Sequence, residues 1–255
     1  MRRVGFVFAV VVCVPVLSSP AFGTNGQNPV PPGFTRERIV DYVRGGGGPP
    51  SATDAAMDFK VQLHPFLLKL DHSLSYTIDT TGCSGQCTNA AAAVTGTSGL
   101  TGSGLAAWGV SGLTLTHNES SPDPNPCTSS PDSVTWAPIG SASVLAETFP
   151  CLDASGKIVG FDIVYNSNAT WSDCASTGSC AAAPSGSIAI AAAAAHEGGH
   201  VYGLQHDHAA KDVRLTMYFG IGANDYGLAT LGCGDRRGVN ALYETTLTCT
   251  TLPGD

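Results

Sequence analysis

The residues best suited to do chemistry are His196-Glu197-Gly198-Gly199-His200-Val201-Tyr202-Gly203-Leu204-Gln205-His206. His196 and His200 are four apart, so on a helix they project from one face, one turn apart. Two imidazoles so placed can grip one ion. Glu197 sits one residue along, beside such an ion rather than on it, where it can hold and deprotonate a water. Gly203 follows three residues after His200. A glycine there can take the left-handed conformation that stops a helix and reverses the chain, swinging His206 back as a third ligand. Three neutral imidazoles leave one tetrahedral position open, which is the pattern of a catalytic rather than a structural zinc. The expected chemistry is attack of a zinc-bound water on a carbonyl carbon. Glu197 takes the proton and passes it to the leaving amine, and zinc steadies the oxyanion.

A helix must present the two histidines, and Ser185 to Tyr202 provides it, with a serine start and an alanine-dense body. Short β-branched or aromatic runs predict strands at Ser75–Asp79, Leu113–Asn118, Ser133–Ile139, Val144–Phe149 and Lys157–Asn166. Ala90–Val94 and Leu105–Trp108 favour helix, although Gly96, Gly99, Gly102 and Gly104 interrupt them, and Arg236–Tyr243 fits a short last helix. No internal repeat is present. Residues 24–57 contain Gly45-Gly46-Gly47-Gly48-Pro49-Pro50 and read as a linker or short pro-segment; residues 58–255 read as one domain.

The start of the chain supplies an address. Met1-Arg2-Arg3 precedes an apolar run from Val4 to Leu17, and Ala21 and Gly23 offer small residues at a cleavage site. Residues 1–23 therefore read as a signal peptide, and the protein as secreted; an uncleaved anchor is the alternative. The run is short for a membrane span, so stable membrane insertion is not expected. The chain carries 12 basic and 20 acidic residues with no Lys/Arg cluster, which argues against a nucleic-acid partner. A monomer is expected. Export also suits the cysteines. Without Cys13, eight remain, and proximity suggests Cys83–Cys87, Cys127–Cys151, Cys174–Cys180 and Cys233–Cys249. A cysteine-ligated zinc is the rival reading, but no pair has zinc-ribbon spacing.

The other histidines, His64, His72, His117 and His208, form no second spaced cluster and read as surface or satisfied side chains. Asp123, Asp132, Asp153 and Asp162 leave Ca2+ possible, but no calcium-loop motif supports it, so a solvated acidic face is expected. Asn118 and Asn168 fit the glycosylation sequon.

The long zinc motif, followed by Met217 in Leu215-Thr216-Met217-Tyr218, resembles the metzincin metallopeptidases, in which a methionine turn lies under the metal. Within them the chain is most similar to the matrixin group, from about Leu74 to Tyr243. Val144, Leu145, Ala146 and Glu147 fall where that family has its substrate-binding antiparallel edge strand. Gly156 to Trp171 resembles the next strand and loop, and Leu231-Gly232-Cys233-Gly234-Asp235 to Tyr243 resembles the closing helix. The resemblance implies an α/β (α+β) zincin-like catalytic domain with a twisted mixed, mainly parallel sheet, an antiparallel edge strand and an active-site helix. It further implies one catalytic Zn2+, a protein or peptide substrate, and zinc metalloendopeptidase activity. A noncatalytic zinc-binding or adhesion domain of the same fold, and a zinc amidase acting on a nonprotein polymer, are the alternatives.

Three departures stand out. Gly198 replaces the family's bulky apolar residue. Asp207 after the third histidine is more like the adamalysin branch. The matrixin cysteine switch needs a pro-segment cysteine, and residues 24–59 have none, so any latency must use another device.

Overall fold

The structure is a computed structural model and describes residues 30–43, 60–61, 63–64, 66–67, 69–97, 102–128, 130–174, 185–207, 213–223 and 225–245. The expected signal peptide lies outside them. No helix among the described residues is long and apolar enough to cross a membrane.

A nine-stranded sheet organises the domain. Its main strands are β1 (Thr35–Arg36), β2 (Ile39–Val43), β3 (Leu74–Asp79), β4 (Leu115–His117), β5 (Ser133–Ala137), β6 (Val144–Leu152), β7 (Lys157–Asn166) and β8 (Gly220–Ile221). The spatial order is β8-β2-β6-β7-β5-β3-β4, with β1 also pairing β6. The contacts β7–β5, β5–β3 and β3–β4 are parallel, whereas β6 runs antiparallel to β7. The fold is thus mixed α/β with a mainly parallel sheet, as the resemblance implied. Five strands fall where their β-branched residues place them.

Helix α1 spans Ala90–Thr95, α2 spans Ile190–Val201 and α3 spans Cys233–Tyr243. Every residue of α2 is buried. A helix apolar on all sides belongs in the middle of a domain, and the run Ala191–Ala195 is small enough to be enclosed there. It packs against α1, β6 and two 3-10 helices, Gly104–Ser111 and Tyr226–Ala229. The helix starts five residues after Ser185. Ile188–Ala189 instead pairs in parallel with Trp171–Ser172 in a separate three-stranded sheet, a pairing that suits β-branched Ile188. Gly104–Ser111 is 3-10 rather than α-helical; Gly104 enters at φ 58° against the carbonyl of Val94, an approach only glycine permits. Helix α3 begins three residues before Arg236 because Asp235 accepts the Gly232 N–H at 2.9 Å and caps the first turn.

Tyr243 locks α3 to the middle of the domain. Its hydroxyl donates to the Tyr202 carbonyl at 2.7 Å, just past the end of α2, and accepts the Leu70 N–H at 2.8 Å. Cys83–Cys87 and Cys127–Cys151 form disulfides as expected. Cys174 is also disulfide-bonded. The expected partners Cys180 of Cys174 and Cys249 of Cys233 lie outside the described residues.

One finding was not anticipated. Residues 35–43, inside the segment read as linker or pro-segment, are strands of the main sheet. β1 and β2 run antiparallel along β6, pairing Thr35 with Leu152 and Tyr42 with Val144 at the two ends. The β-branched and aromatic residues of Ile39-Val40-Asp41-Tyr42-Val43 suit a strand, although the neighbouring glycines and prolines outweigh that signal.

Candidate metal centre

The two helical histidines stand one turn apart on α2, both fully buried. Each is aimed by a backbone carbonyl: His196 Nδ1 donates to Thr216 O at 2.5 Å and His200 Nδ1 donates to Leu204 O at 2.8 Å. A carbonyl only accepts, so Nδ1 carries the hydrogen and the Nε2 lone pair is left to point inward. Gly203, at φ 94°, reverses the chain after α2 and returns His206. His206 Nε2 then lies 3.0 Å from His200 Nε2 and 3.2 Å from His196 Nε2.

Below the helix, Met217 packs directly on Gly199. A methyl group at Gly199 would lie 2.1 Å from Met217 Sδ, and one at Gly198 would lie 2.8 Å from Trp108 Cδ1. The twin glycines therefore admit two large side chains against the turn that carries His200. Trp108 also donates its indole N–H to Ala195 O at 2.6 Å. This accounts for Gly198, which departs from the family pattern: its missing side chain is replaced by Trp108.

Asp235 holds the methionine turn. Its carboxylate accepts the N–H of Thr216 at 2.8 Å and of Met217 at 3.2 Å, besides that of Gly232. Thr216 is the residue whose carbonyl orients His196, so Asp235 acts on the site through one backbone unit. Burial pushes the Asp235 carboxyl up to about 6, against the three amides that favour its charged form.

Glu197, next along the helix, is fully buried. Thr148 of β6 donates its hydroxyl to Glu197 Oε2 at 2.6 Å, while Oε1 has no hydrogen-bond partner. Burial, and then the nearby Asp41 carboxylate, push Glu197 well above the usual carboxylate range.

A fourth donor completes the cluster. Asp41 Oδ1 lies 2.7 Å from His196 Nε2 and 3.3 Å from His200 Nε2, and it also contacts His206 Nε2. The four ligand atoms of Asp41, His196, His200 and His206 all lie within 4.8 Å of one another. Among the described residues no other group of three or more His, Cys, Asp or Glu is so arranged. Burial alone would raise the Asp41 carboxyl, but the His196 and His200 imidazoles facing it outweigh that and hold it well below the usual range. Burial likewise pushes His200 down to about 4, which keeps its imidazole neutral.

The donor chemistry fits zinc. Bonds of about 2.0–2.1 Å in a tetrahedron put ligand atoms about 3.3 Å apart; His206 Nε2 stands 3.0 and 3.2 Å from the other two imidazoles, and Asp41 Oδ1, 2.7 Å from His196 Nε2, sits closer than that.

The remaining candidates are placed elsewhere. His72 lies beside Asp71, and His117 is 2.6 Å from Glu119. His208 is outside the described residues, as is the side chain of His64. The expected solvated acidic face does not form at Asp132 and Asp162, which are buried. Asp162 is paired with Arg36 at 3.0 Å and Ser133 at 2.7 Å, and burial pushes Asp132 up to about 8. Calcium has no support.

Val144, Leu145, Ala146 and Glu147 are in β6 as expected, but they are not an open edge. β2 covers them, and β8 covers β2 with Gly220 opposite Tyr42. Asp41, Thr148, Asp235 and Trp108 were missed as site residues. For Asp41 the available signal was its place in a β-branched run; for the others only the three-dimensional contacts reveal the role.

A mainly parallel sheet with one antiparallel strand, backing a helix whose two histidines meet a third beyond a glycine turn, with a methionine beneath, is the arrangement of a metzincin-like domain. Residues 134–244 match the model of the matrixin family, peptidase M10. No curated protein matches the chain.

Proposed function

We propose that the protein is a secreted zinc endopeptidase in which His196, His200 and His206 hold the metal and Glu197 is general base and acid. The observation that carries this reading is the convergence of three Nε2 atoms beside a buried glutamate on the same helix. Bound zinc supplies Lewis acidity and lowers the pKa of water in the site to about 7.

The chain's own groups do the rest. Thr148 fixes Glu197 Oε2, which leaves Oε1 to accept the proton of the attacking water and deliver it to the departing amine nitrogen. Carbonyls of Thr216 and Leu204 hold the imidazoles in the tautomer that binds metal. A peptide substrate extends along β6 beside Val144, Leu145, Ala146 and Glu147, adding backbone hydrogen bonds as a strand. The signal-peptide pattern of residues 1–23 supports secretion.

The test is cleavage of an unstructured protein such as casein by the purified enzyme, before and after chelation and after return of zinc. Activity lost and regained with the metal supports the reading. Cleavage untouched by complete zinc removal contradicts it.

A further inference from the structure

β6 is the strand along which an extended substrate would lie, and the chain's own residues 35–43 already lie there. Thr35 and Arg36 pair with Leu152 and Cys151, the Glu37 N–H donates to Pro150 O at 3.1 Å, and Ile39 to Tyr42 pair with Thr148 back to Val144. Substrate and segment therefore compete for the same hydrogen-bonding edge.

Side chains fasten the segment at three points. Arg36 reaches Asp162 at 3.0 Å, with its guanidinium 4.4 Å over the Phe149 ring. Arg38 donates Nε to Glu147 Oε2 at 3.0 Å and bonds Oε1 through Nη2. Asp41 turns to the opposite face, opposite Ala146, and enters the histidine cluster. Strand alternation produces this division: Glu147 faces away from α2, whereas Ala146 and Thr148 face it. The Asp41 side chain meets the three imidazoles, and it is a carboxylate, the type that can serve as a zinc ligand.

We propose that residues 35–43 are an internal inhibitor and that Asp41 is the fourth ligand of the metal, occupying the position that water and the scissile carbonyl need. The proposal rests on the endopeptidase reading for its consequence and on geometry for its substance. The segment is not itself cut, because the group it presents to the metal is a side-chain carboxylate rather than a peptide carbonyl. It also supplies a latency device in a chain that lacks a pro-segment cysteine. Activity then requires this strand to leave β6.

The experiment uses the full chain loaded with zinc, and acetohydroxamate, a small chelating probe, followed by calorimetry, alongside peptide cleavage. A site blocked nearly all the time binds in proportion to its open fraction. Asp41→Ala is expected to bind the probe roughly tenfold to a hundredfold more tightly than wild type and to cleave peptide faster by a similar factor. Arg38→Glu leaves Asp41 in place but sets two carboxylates across the strand pair, and should move both readouts in the same direction by less. This second variant decides the matter if Asp41→Ala fails to fold. Variants that bind acetohydroxamate no better than wild type would overturn the proposal. Tighter probe binding with no cleavage in any variant would uphold the inhibitor strand and defeat the endopeptidase reading instead.

Discussion

Helix α2 and strand β2 meet at one point, yet they are specified in opposite ways. The helix carries its chemistry within eleven residues, His196 to His206, and its shape follows from local rules: alanine density, i,i+4 spacing and a glycine at φ 94°. The strand brings one carboxylate from 155 positions away, and nothing near Asp41 in sequence states its destination. The histidines are set by the helix and its glycine turn, whereas Asp41 reaches them through the pairing of β2 with β6. Most of the cluster is thus local in the chain, and its fourth donor is long-range.

The largest expected effect lies on the helix. Glu197→Ala should lower turnover by roughly 10²–10⁴ while metal content, measured by elemental analysis, stays near one zinc per chain. To isolate chemistry from latency, the comparison is best made in the Asp41→Ala background. Equal turnover with and without Glu197 would remove its assigned role.

Packing beneath the helix should come next. Gly199→Ala forces a methyl group toward Met217 Sδ and should destabilise the fold by about 1–3 kcal/mol. Adding Met217→Ala should recover part of that loss in urea unfolding. If the two changes simply add, the contact at Gly199 is not the reason for the glycine.

A pH-graded effect belongs to the strand side. Asp132 lies beside the Asp162 that anchors Arg36, and burial pushes it to about 8 from an ordinary value of 3.8. The folded state then holds a proton that the unfolded state has lost, so this group's contribution to stability falls as pH rises from about 4 to 8. Asp132→Asn abolishes that titration. Its stability relative to wild type should rise across this window and level off outside it, as followed by thermal unfolding at several pH values. A constant difference would mean that Asp132 is not buried as described.

The smallest effect should come from the residue that joins the two regions. Thr148→Val removes the hydroxyl held 2.6 Å from Glu197. Loss of one hydrogen bond is worth about 0.5–1.5 kcal/mol, so kcat should fall by up to about tenfold with little change in KM. A selective rise in KM would instead place Thr148 in substrate binding.

Much of the architecture could be read from residue order. The strands Ser133–Ala137, Val144–Leu152 and Lys157–Asn166 lie where β-branched runs place them, since a half-buried pleat selects such residues. The three histidines and the glycine turn follow from helical spacing alone. What escaped reading is what depends on partners distant in the chain. Residues 24–57 looked featureless because glycines and prolines outweighed a five-residue strand whose stability comes from β6. Asp235 looked like part of a closing helix, and its hold on Thr216 and Met217 needs the fold to exist. Ser185 looked like a helix cap because the competing pairing of Ile188 with Trp171 is equally nonlocal.

The central claim is that three imidazoles and Asp41 share one metal ion. X-ray absorption at the zinc edge of the full-length, zinc-loaded chain addresses it directly. Three imidazole nitrogens and one carboxylate oxygen are expected at about 2.0–2.2 Å, with the oxygen scatterer replaced by solvent in Asp41→Ala. A first shell with fewer than three imidazoles, or protein that stays zinc-free in excess zinc, would contradict it.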